Sequence, residues 1–223
     1  MCGRYRLKEP EKALAEFSDE SGVGLGPVFN VAPTRVMPVI LGDHRQVAMA
    51  WGFLPYYQKN NPKAFGLINA RSETAIDKPA FRQAVQTRRC AVLADGFYEW
   101  RKREDGSKEP YFIGLRGGRP FAFAALYEPA VAEKPPGFCI LTTGPNELMK
   151  PIHERMPVIL DAETADRWLG PAAMSQDHYA KVVVSYPTDR MEAWPVLPIV
   201  NNARNDSPLC SEPISAADFT LES

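Results

Sequence analysis

The chain has 223 residues, including 21 prolines, and a formal net charge of −1 at pH 7. A chain of this length can bury roughly 70% of its unfolded surface, which is enough for one large domain or two small ones. The near-zero charge argues against a surface coated uniformly with positive charge, but it does not exclude a local basic groove.

Membrane, secreted and metal-binding classes find no support in the composition. No apolar run approaches the ~20 residues that a membrane-spanning helix needs, and the first residues lack the apolar stretch of a signal peptide. The four cysteines form no C-x-x-C pair, so we expect no metal site and no cofactor. A reducing cytoplasm is the compartment that fits.

The first half of the chain predicts two helices and several strands. Residues 9–20 have a helical composition, which the glycines of residues 21–27 end. Apolar residues at helical intervals predict a second helix over residues 78–89. Strands are expected at residues 30–42, 46–55 and 65–70.

The second half predicts a mainly antiparallel sheet. A polar turn at residues 101–110 follows an expected strand at residues 90–100, which indicates a hairpin. Further strands are expected at residues 111–115, 120–129, 137–143, 156–160 and 181–187. Short helices are expected at residues 146–153 and 161–170. We therefore predict a single compact α+β domain over residues 1–223, with a mainly antiparallel, mixed sheet or barrel-like core and short flanking helices.

Cys2 directly follows the initiator methionine. Methionine aminopeptidases remove Met1 before a small residue, which would leave a free amine and a thiol on Cys2, with reference pKa values of about 8 and about 8.5. Such a 1,2-aminothiol condenses with an aldehyde to a Schiff base, which the thiol closes to a thiazolidine. The alternative is a frayed terminus whose cysteine is incidental.

Two further segments carry acid–base groups. In GFYEW, Glu99 stands among aromatic residues, and desolvation there should raise its pKa and suit it to proton transfer. In IHERMP, His153 can move protons near neutral pH and Arg155 can bind a phosphate with two hydrogen bonds. Each signal is weak alone, because a lone histidine is more often structural.

Two loops contain residues suited to a nucleic acid. Asn69 and Arg71, two apart in NARSET, could orient a polar ligand and bind a phosphate, whereas the structural alternative is an Asx turn followed by a surface arginine. Trp51, beside a glycine, is a candidate stacking platform for a base, although a tryptophan is more often simply core.

These segments occur in a definite order along one chain, and together they resemble the SOS-response-associated peptidase (SRAP) family of abasic-site-processing proteins. The resemblance covers residues 2 to about 205. It is carried by MCGRY, NVAPT, AWGFLP, NARSET, GFYEW, LTTGPNE, IHERMPVIL and VVVSYPTD.

The resemblance implies a monomeric protein that binds single-stranded DNA and forms a covalent thiazolidine between Cys2 and the ring-opened aldehyde of an abasic site. It also implies self-removal of whatever precedes Cys2. Carried over by motif, the implied catalytic residues are the nucleophile Cys2, Asn69 as a positioning group, Glu99 in proton transfer and His153 as acid or base. Phosphate contacts near the lesion are implied for Arg4, Arg71 and Arg155. Contacts with flanking bases are implied for Pro33, Trp51, Trp100 and Met156.

Two other functions start from the same residues. Class II glutamine amidotransferases also begin with MCG and use a terminal cysteine, but their pattern does not supply IHERMP together with GFYEW. A plain single-strand-binding module, with Cys2 incidental, would bind intact and abasic DNA alike and form no covalent product.

Overall fold

The computed structural model describes residues 2–18, 24–58, 61, 66–130 and 134–214. Over these residues the strands are β1 (Arg4–Leu7), β2 (Val28–Val31), β3 (Val36–Ile40), β4 (Gln46–Trp51), β5 (Asn69–Arg71), β6 (Arg89–Ala94), β7 (Gly96–Lys102), β8 (Lys108–Leu115), β9 (Phe121–Glu128), β10 (Gly137–Thr143), β11 (Met156–Pro157), β12 (Ile159–Leu160) and β13 (Met191–Pro195). The helices are α1 (Pro10–Phe17), α2 (Ser72–Ala75), α3 (Arg82–Thr87), α4 (Ala162–Leu169) and α5 (Gln176–Val182). Short 3₁₀ turns occupy Tyr56–Gln58, Arg116–Gly118, Thr188–Arg190, Pro198–Asn201 and Pro208–Cys210.

Five strands close into a ring in the order β10, β4, β3, β6, β9 and back to β10. The β4–β10 pair is parallel and the other four pairs are antiparallel. All six residues of β6 are buried, because helices α1, α3 and α4 pack against this strand. A continuous apolar run such as RCAVLA is typical of a strand covered on both faces. The predicted α+β fold with a barrel-like core is confirmed.

A second sheet has the strand order β13–β8–β7–β1–β2. In it β1, which begins two residues after Cys2, lies between β7 and β2 and is antiparallel to both. Residues 4–7 are therefore an interior strand of a sheet, and Cys2, two residues before this strand, is fully buried.

The predicted strand over residues 90–100 is two strands, because the chain leaves the barrel at Asp95 and enters the second sheet as β7. The buried Asp95 carboxylate accepts hydrogen bonds from Arg6 Nε and from the backbone N–H of Lys8, each at 2.5 Å. The next residue is glycine because a Cβ on Gly96 would lie 1.9 Å from the ring of Phe112.

Two predicted elements are wrong. Residues 146–153 form consecutive turns instead of a helix: the Asn146 side chain accepts the Met149 N–H at 3.0 Å, and Pro151 follows closely. Residues 181–187 are not a strand, because Ser175 caps α5, the helix continues to Val182, and Val184 is 53% exposed. No helix within the described ranges is long and apolar enough to cross a membrane.

Candidate functional site

Asn69 ties the start of the chain to the barrel. It opens β5, which pairs in parallel with β10, and its Nδ2 donates to the Cys2 carbonyl oxygen at 2.7 Å. Its Oδ1 is buried and has no hydrogen-bond partner among the residues that the structure describes. One acceptor therefore remains beside Cys2 for a polar group, such as an amine or a sugar hydroxyl.

The Cys2 side chain is fully buried. Burial raises the pKa of the Cys2 thiol, and the nearby Glu99 carboxylate raises it further. A thiol in this environment stays protonated at neutral pH, so it is a poor first nucleophile unless a neighbouring base removes its proton.

Glu99 is the candidate base. It lies on β7, the strand that pairs with β1, and only 2% of its surface is exposed. Burial raises the pKa of the Glu99 carboxyl, whereas the positive form of His153 acts in the opposite direction. A carboxyl whose pKa is moved toward neutrality can both accept and return a proton.

His153 faces this carboxyl from the turn that precedes β11. The distance from His153 Nε2 to Glu99 Oε2 is 3.9 Å, which is long for a direct hydrogen bond but allows one substrate atom to contact both groups. His153 Nδ1 accepts the backbone N–H of Arg155 at 3.0 Å, so the neutral ring carries its proton on Nε2, toward Glu99.

The four residues expected to be catalytic are thus brought together from β5, β7, the turn before β11 and the residue that leads into β1. The thiol, amide, carboxyl and imidazole together can position an electrophile and exchange protons with it. Within the described part of the chain, no group of three or more His, Cys, Asp or Glu residues could hold a metal ion.

The arginines expected at phosphates differ in their availability. Arg71 is exposed at the end of β5. Arg4 instead donates to Asn30 Oδ1 at 2.9 Å and to the Val200 carbonyl at 2.7 Å. Arg155 is held by Glu73 and Thr142. As placed, Arg4 and both terminal nitrogens of Arg155 donate to protein groups, whereas Arg155 Nε is buried without a hydrogen-bond partner among the described residues.

The residues expected to contact bases divide in the same way. Trp51 is fully buried: its ring is parallel to that of Phe138, and its Nε1 donates to the Ile68 carbonyl at 2.9 Å. Met156 is also fully buried. Both side chains are core, and neither offers a base an accessible face. Trp100 and Pro33 are half-buried and keep an accessible surface.

Two exposed aromatic residues were missed by sequence reasoning. Tyr56 and Tyr57 are 51% and 57% exposed, and their rings meet edge to face at 5.6 Å. They follow Pro55, after the strand that carries Trp51, and two neighbouring aromatics in a polar loop were the available signal. Adjacent exposed rings suit stacking with unpaired bases.

Comparisons with known proteins give one family, curated relatives along nearly the whole chain and a solved structure of similar fold. The family model described as "SOS response associated peptidase (SRAP)" matches residues 1–203. The "Abasic site processing protein YoqW" of Bacillus subtilis is 38% identical over 218 residues, which cover 93% of this chain and 97% of the relative. The "Abasic site processing protein HMCES" of Rattus norvegicus is 31% identical over 270 residues, covering 96% and 76%. A crystal structure of a Bacteroides thetaiotaomicron protein has a TM-score of 0.84 at 25% identity and covers 96% of this chain and all of that one.

Proposed function

Because the chain belongs to the SOS response associated peptidase (SRAP) family, we propose that it processes abasic sites in single-stranded DNA by forming a covalent thiazolidine at Cys2. The observation that carries the proposal is the meeting of Cys2, Asn69, Glu99 and His153. Curated relatives over nearly the whole chain are named abasic site processing proteins, which supports the general role.

The proposed reaction starts with the amine of Cys2. With nothing attached before Cys2, this amine adds to the aldehyde carbon of the ring-opened sugar, and loss of one water gives an imine. The thiol then adds across the C=N bond: a C–S bond forms, and the thiol proton passes to the nitrogen. The product is a five-membered thiazolidine, and no oxidant or metal is required.

The chain's own residues fit the proton movements of these steps. Asn69 fixes the Cys2 backbone and leaves Oδ1 for the amine or the sugar. Glu99 and His153 are 3.9 Å apart, and a carbinolamine oxygen bound between them would be within reach of both groups as it leaves as water. Because burial raises the pKa of the Cys2 thiol, the thiol stays protonated while the amine reacts first. In the second step Glu99 takes the thiol proton as sulfur attacks the imine carbon.

The peptidase in the family description fits removal of the residue before Cys2 by the protein itself. A thiol beside a proton-transfer pair has the composition of a site that cleaves a peptide bond. Lyase-like strand cleavage would branch from the imine before the thiol closes the ring. Trapping and cleavage therefore compete for one intermediate.

A single strand is proposed as the partner because the accessible groups suit a flexible strand with unstacked bases. Exposed Arg71 adjoins Asn69 in β5, and Tyr56, Tyr57 and half-buried Trp100 offer ring faces. Stacking and a few phosphate contacts give such binding without a large net charge. We propose that a monomer in the cytoplasm is sufficient.

The experiment is incubation with a single-stranded oligonucleotide that contains one abasic site, followed by a denaturing gel. Wild-type protein should give a band that survives heat and denaturant. Cys2→Ala, and a variant that retains an extra residue before Cys2, should give none. Cys90→Ala removes a buried cysteine of the barrel strand β6 that none of the proposed roles involves, and is the matched control. Equal crosslinking by Cys2→Ala would overturn the mechanism.

A further inference from the structure

Arg155 is immobilised on two sides at the edge of the candidate site. Its Nη1 and Nη2 donate to the two carboxylate oxygens of Glu73 at 2.5 and 2.8 Å. Nη2 also donates to the backbone carbonyl of Thr142, in β10. The Arg155 side chain is only 13% exposed. This paired geometry fixes the direction of the guanidinium plane, which a single contact would not do.

The same residue determines the orientation of His153 through its main chain. The Arg155 N–H donates to His153 Nδ1 at 3.0 Å, and this bond directs Nε2 toward Glu99. Main-chain bonds hold this segment on either side, from the His153 N–H to the Met149 carbonyl and between β11 and β10, and the Arg155 side chain adds a tie to α2 through Glu73. This tie is a restraint on the direction of the imidazole proton that lies outside the reacting groups.

Glu73 is well placed to provide that contact. It lies in α2, which follows β5 without a gap, so it is four residues from Asn69. The ion pair consequently connects the element that holds the Cys2 carbonyl to the turn that holds the imidazole. Hydrogen bonds from Arg155 keep the pKa of the Glu73 carboxyl below its usual range, so Glu73 stays ionised at neutral pH.

We propose that Glu73 is a positioning residue that, by holding Arg155, fixes the orientation and tautomer of His153 in the reaction. The proposal rests on the proposed function. It also gives a role to an acidic residue at a site where a DNA-binding surface would otherwise favour positive charge. If Glu73 only masked Arg155 from phosphates, removing the Glu73 carboxylate would instead make DNA binding tighter.

The test compares Glu73→Ala and Glu73→Gln with wild type in the free protein. Long-range ¹H–¹⁵N spectra of the histidine rings report which nitrogen carries the proton. We expect one tautomer, protonated at Nε2, for wild-type His153, and a mixture of tautomers in Glu73→Ala. Glu73→Gln keeps one acceptor and should be intermediate. Glu163→Ala, which breaks the exposed Arg167–Glu163 pair within α4, should leave the His153 spectrum unchanged.

The second readout is the single-turnover rate of crosslinking with saturating abasic DNA. Glu73→Ala should lower this rate about tenfold or more, since small displacements of a reacting group have large effects. The Kd for intact single-stranded DNA should change by less than about threefold. If Glu73→Ala fails to fold, the His153 tautomer and the crosslinking rate are both measured on Glu73→Gln.

The outcomes separate the two proposals. If wild-type protein forms no crosslink, the proposed function is wrong. The tautomer measurement on the free protein would still test whether Glu73 orients His153. An unchanged His153 tautomer in both variants would overturn the positioning role, as would tighter DNA binding at an unchanged rate, which is the result expected of a residue that only masks Arg155.

Discussion

At the scale of single residues, the site combines buried polar and ionisable groups, each of which lowers the stability of the folded protein. A fully buried thiol, a carboxyl with 2% exposure and a buried amide oxygen without a hydrogen-bond partner among the described residues occur within one small region. Burial raises the pKa values of Cys2 and Glu99 together. Groups of this kind reduce stability, so their concentration at one place indicates a role in chemistry.

Glu99→Gln should make the protein more stable and less active. Because burial raises the pKa of Glu99 in the native state, the native carboxyl binds its proton more tightly than the unfolded chain does. Wild-type stability therefore falls as pH rises from the ordinary glutamate range, about 4.3, through the raised native pKa. Glutamine does not ionise, so urea unfolding should show a gain over wild type at pH 8 that disappears near pH 4.

Two controls accompany this prediction. Glu73→Gln changes a carboxyl whose pKa is lowered, and its effect on stability should have the opposite sign at pH 8. The crosslinking rate of Glu99→Gln should fall at pH 7 while DNA affinity is kept. If Glu99→Gln is no more stable than wild type at any pH, the claim that burial of the Glu99 carboxylate lowers stability is wrong.

At the scale of elements, the passage from β6 to β7 brings the site together. The chain leaves the barrel at Asp95, and the following strand presents Glu99 beside the start of the chain. Arg6 supports this junction twice, since it binds Asp95 and lies 4.1 Å above the Phe112 ring. The Phe112 ring lies so close to Gly96 that there is no space at this position for a side chain.

Gly96→Ala should destabilise the protein by about 1 to 3 kcal/mol, the usual range for overpacking a core. The added methyl group would overlap Phe112, which is 1% exposed and packs against Trp194, so the ring has little room to move. Urea unfolding measures the change. Gly144→Ala is the matched control, because no atom lies within 4 Å of its added Cβ and its φ is not positive. Equal effects of the two variants would contradict this account.

The β7–β8 hairpin holds two exposed lysines directly opposite each other, Lys102 and Lys108. Like charges across a ladder are unfavourable unless an anion neutralises them. If the DNA strand passes here, replacing both lysines by alanine should reduce the slope of log Kd against log salt by about 1.4, or about 0.7 for each contact with a single strand. Lys12→Ala, which breaks the exposed pair between Lys12 of α1 and Glu9 just before this helix, should leave the slope unchanged. An unaltered slope in the double variant would exclude the hairpin from the binding face.

At the scale of the whole molecule, local patterns in the sequence predicted most strands, the hairpin and α4, because each has its own apolar run and turn residues. They did not predict the break at Asp95, which depends on partners distant in sequence. The turns over residues 147–152 were also missed, although Asn146 and Pro151 are local signals for them. The catalytic candidates came from motif resemblance. The burial of Trp51 agrees with the more frequent role of a tryptophan as core, whereas the Glu73–Arg155 pair could not be predicted, because its two residues are 82 positions apart in the chain.

The interior position of β1 has a consequence for the timing of synthesis. Residues 4–7 form a middle strand whose neighbour, β7, ends at residue 102, almost one hundred residues later in the chain. At about 5 to 20 residues per second, that neighbour is complete roughly 5 to 20 s later. Until then β1 lacks one of its two neighbouring strands, and Cys2 is accessible to external enzymes. Once β7 has paired with β1, the Cys2 side chain is fully buried, so the order of synthesis limits when such enzymes can act on this residue.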